Sequence, residues 1–154
     1  MRTFLPILLF VLLSFLVGFI SMLVQHDAML SWYPFLEKPL LTPPGIVFSV
    51  VWSILYLLMG ISAGLVWDTK AMYSWMLELL FTVQLALNLL WSICFFHMQS
   101  PVLGFAVLVV LFMFVVLYVA GCYVKNRWAA FINIPYMLWL VFAGYLNLYI
   151  IMNN

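Results

Sequence analysis

Five long apolar stretches, each about the length needed to cross a bilayer, dominate the pattern of hydrophobic and polar positions along this chain. A membrane-spanning helix needs roughly 20 mostly apolar residues, and short polar or charged segments separate the five stretches. The pattern predicts an all-α membrane protein, a bundle of five transmembrane helices, in which residues 1–154 form a single domain. The predicted spans are residues 4–24, 46–67, 73–96, 102–124 and 128–151.

The first stretch is predicted to be a span and not a secretory signal. Its apolar core is longer than the roughly 7 to 15 residues typical of a signal peptide, and no clear cleavage site follows it. Residues 25–44 then form the first loop, which ends in Pro43 and Pro44. Because proline in the first turn of a helix costs no hydrogen bond, the second helix is predicted to begin near Gly45.

Gly60 and Gly64 form a small-residue pair, G-x-x-x-G, within the second predicted span. Such a pair lets two helix backbones approach closely, either inside one chain or at a dimer seam. Internal packing is the favoured interpretation, and a homodimer is the alternative.

The composition agrees with an integral membrane protein and excludes several other classes. Of the 154 residues, 69% are hydrophobic and 6% are charged, whereas about a quarter of the residues in soluble domains are charged. A formal net charge of +1 leaves no basic arm for nucleic acid. The sequence has no phosphate-binding glycine loop and no Cys/His cluster, so no metal site is predicted. Cys94 and Cys122 lie in apolar runs and are predicted to be small buried side chains.

The positive charges that flank the spans are unequal on the two sides of the predicted bundle. Four lie on the side of the N-terminus and one on the opposite side: Arg2, Lys70, Lys125 and Arg127 against Lys38. Lys and Arg concentrate in cytoplasmic loops. The N-terminus is therefore predicted to be cytoplasmic, with loop 25–44 on the outer side.

The third predicted helix carries a stripe of polar residues spaced four apart. Gln84, Asn88 and Ser92 share one helical face, and Trp91 stands beside the last of them. Because polar side chains in a lipid-embedded helix face partners or a cavity, the stripe is predicted to face the interior. Two interpretations stay open, namely hydrogen bonds between helices and a ligand site.

Three of the seven tryptophans, Trp52, Trp91 and Trp139, lie well inside the predicted spans. With a rise of about 1.5 Å per residue, Trp52, Asn88 and Trp139 fall roughly 9 to 18 Å from the outer ends of their helices. These depths predict an indole-walled pocket in the outer half of the membrane, under a Pro-rich lid that carries Tyr33. A well-packed aromatic core is the alternative.

The fifth predicted helix presents Trp139, Ala143 and Asn147 on one face, with a small residue between an indole and an amide. Such a face can admit a flat ring over Ala143. Pro135 near the start of this helix can kink it and open space between helices.

Several of these segments together resemble the translocator protein family, also called tryptophan-rich sensory protein or peripheral-type benzodiazepine receptor. The match covers nearly the whole chain, with its segments in the right order. The segments are W-Y-x-x-L-x-K-P at residues 32–39, P-P at 43–44, F-x-x-x-W-x-x-L-Y-x-x-M-G at 48–60, Q-L-x-L-N-x-x-W-S at 84–92 and P-Y-x-x-W-x-x-F-A-x-x-x-N at 135–147.

The resemblance implies a five-helix bundle whose pocket binds porphyrins such as protoporphyrin IX, isoquinoline and benzodiazepine drugs and, in animal members, cholesterol. It implies light-dependent breakdown of porphyrin in some bacterial members, with Trp52 and Trp139 as the catalytic residues here and no required cofactor. The cholesterol pattern is incomplete, because no basic residue follows Leu146 and Tyr149. The implied ligand-binding residues are Tyr33, Pro43, Phe48, Trp52, Gln84, Asn88, Trp91, Trp139, Phe142, Ala143 and Asn147.

The resulting expectation is a receptor-like protein that binds a tetrapyrrole and drug-like hydrophobic ligands, with porphyrin as ligand or substrate. Terse loops and the lack of a transit peptide indicate a bacterial cell membrane, and membrane lipids are the other expected partners. Two alternatives stay open. One is a transporter or carrier of lipophilic ligands, although the sequence shows no inverted repeat and no charged residue at mid-membrane. The other is a structural or partner-binding bundle.

Overall fold

The computed structural model describes residues 4–67 and 74–154, and within these ranges it consists of helices joined by short turns. Five helical segments are long and apolar enough to cross a membrane, which confirms the five-helix prediction. Arg2, Lys70 and Tyr73, which enter the charge count and the third predicted span, lie outside the described residues. The helices are α1 (Phe4–Ser31), α2 (Gly45–Val66), α3 (Ser74–Ser92), α4 (Pro101–Lys125), α5 (Arg127–Phe131) and α6 (Ile134–Asn153).

Helix α1 is longer than the first predicted span, residues 4–24, and the loop predicted at 25–44 is shorter. The Ser31 hydroxyl donates to the Asp27 carbonyl at 2.8 Å, and the Trp32 amide donates to the Ala28 carbonyl at 3.0 Å. The prediction was wrong because the end of the apolar run marks the end of the membrane-embedded part, whereas backbone hydrogen bonding continues beyond it. The loop therefore comprises residues 32–44.

Helix α2 begins at Gly45, directly after Pro44, as the paired prolines predict. It packs against α1 through its two glycines. A Cβ at Gly60 would overlap the backbone of Val11, and a Cβ at Gly64 would overlap the backbone of Ile7. Internal packing of the G-x-x-x-G pair is thereby confirmed.

The fifth predicted span, residues 128–151, is divided into two helices at Ile132 and Asn133. Pro135 stands in the first turn of α6 and has no amide hydrogen to donate to the preceding turn. The Asn126 side chain caps α5 by accepting a hydrogen bond from the Trp128 amide at 3.0 Å. The sequence signal at Pro135 thus marks a break, and not only a kink within one continuous helix.

A buried polar cluster fixes this break against α2 and α4. The Asn133 amide nitrogen donates to Ser62 Oγ and to the Ala129 carbonyl, both at 2.7 Å, and Ser62 Oγ also donates to that carbonyl at 2.9 Å. The Tyr118 hydroxyl lies 3.2 Å from Ser62 Oγ. Since all of these groups are buried in an apolar bundle, their mutual hydrogen bonds replace those that water would supply.

Helix α3 carries its polar stripe inward and ends in a wider π turn, Ile93–His97. Gln84, Asn88 and Ser92 are all buried, as the stripe predicts, and Cys94 and Cys122 are buried free thiols. Helix α4 then begins at Pro101, where the Ser100 side chain accepts a hydrogen bond from the Leu103 amide.

Candidate functional site

A cluster of aromatic rings centres on Trp52, on the second helix. Its ring lies 6.3 Å from that of Trp91 in a stacked arrangement and 5.5 Å from that of Tyr56. Trp91 in turn stacks on Phe95 at 5.5 Å. Phe48 lies 6.3 Å from Trp52, one helical turn nearer the loop. Helix periodicity brings these rings together, because Phe48, Trp52 and Tyr56 are spaced four apart and share one face of α2.

The Trp52 ring borders an internal cavity of about 120 Å³ between α1, α2 and α3. The walls combine aromatic rings with several small polar side chains. The lining residues are Gly18, Ser21, Met22 and Gln25 from α1, Phe48, Ser49, Trp52, Ser53 and Tyr56 from α2, and Asn88, Trp91 and Ser92 from α3.

Four polar atoms on this wall have no hydrogen-bond partner although they are buried. They are the Ser21 hydroxyl, the indole nitrogens of Trp52 and Trp91 and the side-chain oxygen of Asn88. The amide nitrogen of Asn88 is satisfied, since it donates to the Tyr136 hydroxyl at 2.7 Å and to the Gln84 carbonyl at 3.0 Å. Because buried polar groups are nearly always paired, the cavity offers two indole donors, one amide acceptor and one hydroxyl to a guest molecule or to water.

A smaller void of about 20 Å³ lies beneath the loop. Ala143 provides its small-residue wall on α6, and Tyr33 covers it from the loop. The lining residues are Tyr33, Phe48, Trp91, Phe95, Phe96, Ala143, Leu146, Asn147 and Ile150.

Asn147 lines this void, and its amide also serves a structural purpose. In the orientation that satisfies both of its polar atoms, the nitrogen donates to the Pro101 carbonyl at 2.8 Å and the oxygen accepts from the Phe105 amide at 3.1 Å. The side chain therefore joins α6 to the first turn of α4.

An open groove of about 460 Å³ runs along the outside of the bundle between α2 and α6. Trp139 and Phe142 form part of its wall, and the Trp139 indole nitrogen is buried without a partner. The Trp139 ring lies 5.4 Å from that of Phe48. Phe48 therefore separates the groove from the 120 Å³ cavity and from the void beneath the loop.

Lys38 holds the loop in a compact conformation over the void. Its ammonium group donates to the carbonyls of Tyr33 at 2.7 Å, Leu36 at 2.9 Å and Pro34 at 3.2 Å. The same group lies 4.9 Å from the centre of the Tyr33 ring, at cation–π distance. Partial burial lowers the pKa of Lys38 and raises the pKa of Tyr33, because desolvation disfavours the charged form of each group.

The loop is also attached to the end of α6 and to the π turn. The Glu37 amide donates to the Asn154 side-chain oxygen at 2.9 Å, and the Asn154 side-chain nitrogen donates to the Glu37 carbonyl at 3.2 Å. The Tyr33 ring packs on Phe96 at 5.7 Å and on Phe95 at 6.3 Å. The loop thus closes the end of the bundle at which α1 ends and α2 begins.

Replacing Lys38 by methionine is expected to loosen this loop. Three carbonyls lose a charged donor at once, so the amides of Phe35 and Leu36, which close the turn, should exchange with solvent about tenfold faster. Hydrogen exchange followed by mass spectrometry measures this. Glu37→Gln is the matched control, because the loop hydrogen bonds of Glu37 involve only its backbone. If these amides exchange at the same rate in Lys38→Met and in the unaltered chain, Lys38 does not stabilise the loop.

The predicted ligand-binding residues are distributed over three neighbouring spaces separated by Phe48. Trp52, Asn88 and Trp91 line the 120 Å³ cavity; Tyr33, Ala143 and Asn147 line the void beneath the loop; Trp139 and Phe142 line the outer groove, and Phe48 and Trp91 line both internal spaces.

Gln84 and Pro43 line none of these three spaces. The Gln84 side chain donates to the Leu80 carbonyl at 3.2 Å within its own helix, and the Gln84 backbone carbonyl accepts from Asn88. Gln84 therefore supports Asn88 from one turn away. Pro43 is half-buried in the segment that precedes α2.

Sequence reasoning missed the part of the cavity wall that α1 contributes. Gly18, Ser21 and Gln25 are spaced three and four apart and share one face of that helix. This spacing was the available signal, since these are the small and polar positions in the second half of an otherwise apolar stretch. Ser14, one turn further in, lies on the same helix and is also buried.

Helices of this length and composition, packed around a tryptophan-lined interior, define an α-helical integral membrane protein. The chain belongs to the TspO/MBR family, whose profile matches residues 10–152.

Relatives of this chain come from archaea, bacteria and animals. It is 33% identical over 138 residues to the tryptophan-rich protein TspO of Archaeoglobus fulgidus, with 90% of each chain covered. It is 34% identical over 117 residues to the tryptophan-rich sensory protein of Cereibacter sphaeroides, which covers 76% of this chain and 73% of the relative. It is 32% identical over 153 residues to the translocator protein of Homo sapiens, which covers 92% of this chain and 86% of the relative.

Proposed function

We propose that this protein binds a planar hydrophobic molecule, protoporphyrin IX or another tetrapyrrole, between α1, α2 and α3. The observation that carries the proposal is the set of unpartnered buried polar atoms on Trp52, Asn88 and Trp91 around one aromatic cavity. Flat rings stack favourably on indoles, and a few placed donors and acceptors then orient the guest. Isoquinoline and benzodiazepine-type molecules have the same combination of flat rings and heteroatoms and would use the same site.

The cavity is smaller than the guest, so binding requires it to widen. Ligand pockets typically measure about 300 to 1,000 Å³, whereas this cavity measures about 120 Å³. Phe48 lines both internal spaces and contacts Trp139 at the outer groove. Rotation of the Phe48 side chain would therefore join the cavity to the neighbouring spaces and bring Trp52 and Trp139 to a common chamber.

We extend the proposal to light-dependent breakdown of the bound porphyrin, with Trp52 and Trp139 as the reactive residues. An indole in contact with a photoexcited macrocycle can give it one electron, so that the indole is oxidised and the macrocycle is reduced by one electron. The Trp52 ring is half-buried and its indole nitrogen is fully buried, which helps to keep such a pair away from water.

Titration of the detergent-solubilised protein with protoporphyrin IX tests both parts of this proposal. Tryptophan fluorescence is followed in the dark, and porphyrin absorbance is then followed under illumination. We expect saturable quenching in the dark and bleaching faster than in detergent alone, with Trp52→Phe and Trp139→Phe each slowing the bleaching about tenfold or more. Trp128→Phe is the matched control, because Trp128 is 74% exposed on α5.

Each alternative function gives a different result in this experiment. Saturable quenching without protein-dependent bleaching would leave a binder or carrier, and movement of porphyrin across vesicles would then identify a transporter. Absence of saturable quenching would contradict porphyrin binding, and the aromatic cluster would then serve only to pack the core of the bundle. A variant that loses its fold would support the structural interpretation of that residue.

We also propose that the N-terminus is cytoplasmic and that the protein lies in a bacterial cell membrane. Lys125 and Arg127 stand at the end of the bundle opposite Lys38 and the loop, which agrees with a basic cytoplasmic side. The loop and the void beneath it would then face outward.

A further inference from the structure

The seam between α1 and α2 is closed along its inner half. Gly60 and Gly64 lie directly against the α1 backbone at Val11 and Ile7. Further out, a Cβ at Gly18 would stand 2.6 Å from the Tyr56 ring, so these two residues also touch. From Tyr56 inward, the two helices therefore leave no space between them for a guest molecule.

The outer half of the same seam contains the 120 Å³ cavity, and its rim is accessible from outside the bundle. Met22 and Gln25 form the α1 side of the rim, Ser49 and Ser53 form the α2 side, and Ser21 is buried behind them. The side chains of Met22, Ser49 and Ser53 are exposed. The cavity therefore opens sideways, between two helices that face the bilayer.

The rim is polar where a lipid-facing surface is ordinarily apolar. Three of its four residues, Gln25, Ser49 and Ser53, carry a hydroxyl or an amide, although polar side chains in contact with lipid are unfavourable. The hydroxyls of Ser49 and Ser53 donate to carbonyls of their own helix, at 3.1 Å and 2.9 Å, and so keep acceptor capacity at the rim. With a rise of about 1.5 Å per residue, Ser49 and Ser53 lie roughly 6 and 12 Å below the start of α2, in the outer half of the membrane.

Behind the rim, the cavity wall carries groups that still lack partners. Asn88 is 2% exposed and Trp91 is 7% exposed, yet the Asn88 oxygen and the Trp91 indole nitrogen make no hydrogen bond. A polar rim and unsatisfied polar atoms at the back of one cavity fit a guest that has hydrogen-bonding groups at its edge and a flat apolar body.

We propose that the α1–α2 rim is a lateral port through which an amphipathic ring ligand passes between the outer leaflet and the cavity. The polar edge of the ligand rests on Ser21, Gln25 and the α2 hydroxyls, and its ring lies among Trp52, Tyr56 and Trp91. This inference rests on the proposed function and adds to it the route and the orientation of the ligand.

The two other approaches to the cavity are obstructed in this structure. Tyr33 packs on Phe95 and Phe96 at the loop end, where Lys38 holds the turn closed. On the α6 side, the contact between Phe48 and Trp139 stands between the outer groove and the interior. Entry through the α1–α2 rim does not require either of these aromatic contacts to break.

Ser53→Phe, which places a ring in the port, is the variant that tests this inference. The protein in phosphatidylcholine nanodiscs is mixed with protoporphyrin IX in a stopped-flow instrument, and tryptophan quenching gives the association and dissociation rates. We expect both rates to fall about tenfold, because an obstructed route slows passage in both directions. Val50→Phe is the matched control on the same turn, since Val50 is 51% exposed and lines neither the cavity nor the groove.

The possible results distinguish failure of the lateral port from failure of porphyrin binding. Absence of saturable quenching in the unaltered protein would overturn both. Saturable quenching with equal rates in Ser53→Phe, Val50→Phe and the unaltered protein would overturn the port alone. Ile54 lines the α2–α6 groove. If Ile54→Phe slows the rates and Ser53→Phe does not, the ligand enters through that groove and the proposed port is wrong. If Ser53→Phe does not fold, Ser49→Phe makes the same test one turn nearer the loop.

Discussion

Gly60→Ala is expected to destabilise the protein strongly, although alanine is the better helix former. In a helix that has room for the methyl group, the change from glycine to alanine stabilises by about 1 kcal/mol. At Gly60 the new Cβ would overlap Val11 Cα and stand 2.6 Å from the Val11 amide nitrogen. Backbone atoms cannot rotate away as a side chain can, so the whole of α1 must move to make room for the methyl group. We expect a net loss of roughly 2 to 3 kcal/mol, the size typical of overpacking in a close-packed core.

Unfolding in a titration with sodium dodecyl sulfate, followed by circular dichroism, measures this loss. Gly45→Ala is the matched control, because no atom lies within 4 Å of a Cβ at that position, and it should leave stability unchanged or slightly raised. Gly64→Ala should repeat the effect of Gly60→Ala through its contact with Ile7. Equal stability of the Gly60 and Gly45 variants would mean that α1 does not lie against α2 in this register.

The same helix pair shows what the sequence can and cannot predict. The pair of glycines predicts that another backbone comes close to α2, and this is confirmed. Val11 and Ile7 could not be predicted as the contact residues. Residues 4–20 are almost uniformly apolar, so their sequence does not show which face of α1 packs against α2. Local pattern thus identified the contact surface on one helix, and only tertiary structure identifies its partner.

Hydropathy predicted the number of spans but not the full lengths of the helices. Hydropathy reports the burial of side chains in lipid, so the first predicted span ended at Val24, although α1 continues to Ser31. It also predicted one continuous span through Ile132 and Asn133, where the regular helix is interrupted between α5 and α6. Both differences arise from backbone hydrogen bonds that side-chain hydrophobicity does not report.

The predicted site shows the same division between local and tertiary information. Depth along the helices predicted that Trp52 and Asn88 share one space, and the inward stripe on α3 has Trp91 beside it; these three residues do line one cavity. Depth alone also put Trp139 in that space, because depth along a helix axis does not say which face a residue occupies. Trp139 lies on the groove side of Phe48, and this angular position depends on how α6 packs against its neighbours.

Ser62→Ala is expected to cause the second large loss of stability, because Ser62 is the centre of the buried cluster at the α5–α6 break. The substitution removes the acceptor of the Asn133 amide, the donor to the Ala129 carbonyl and the group beside the Tyr118 hydroxyl. Ser62 has no exposed surface, so no lipid or water group can substitute. Leaving a buried polar group unpaired costs about 1 to 3 kcal/mol, and we expect about 2 kcal/mol in the same titration.

A double-mutant cycle shows whether the loss comes from the hydrogen-bond network and not from the small cavity left by the missing oxygen. Tyr118→Phe removes a hydroxyl that Ser62→Ala leaves unpaired, so the double variant should be about 1 kcal/mol more stable than the sum of the two single losses predicts. Ser31→Ala is the matched control, since its hydroxyl bonds only within an exposed turn of α1, and it should change little. Additive losses at Ser62 and Tyr118 would mean that the two hydroxyls do not support one another, and the break at Asn133 would then depend on the Ala129 carbonyl and on Pro135.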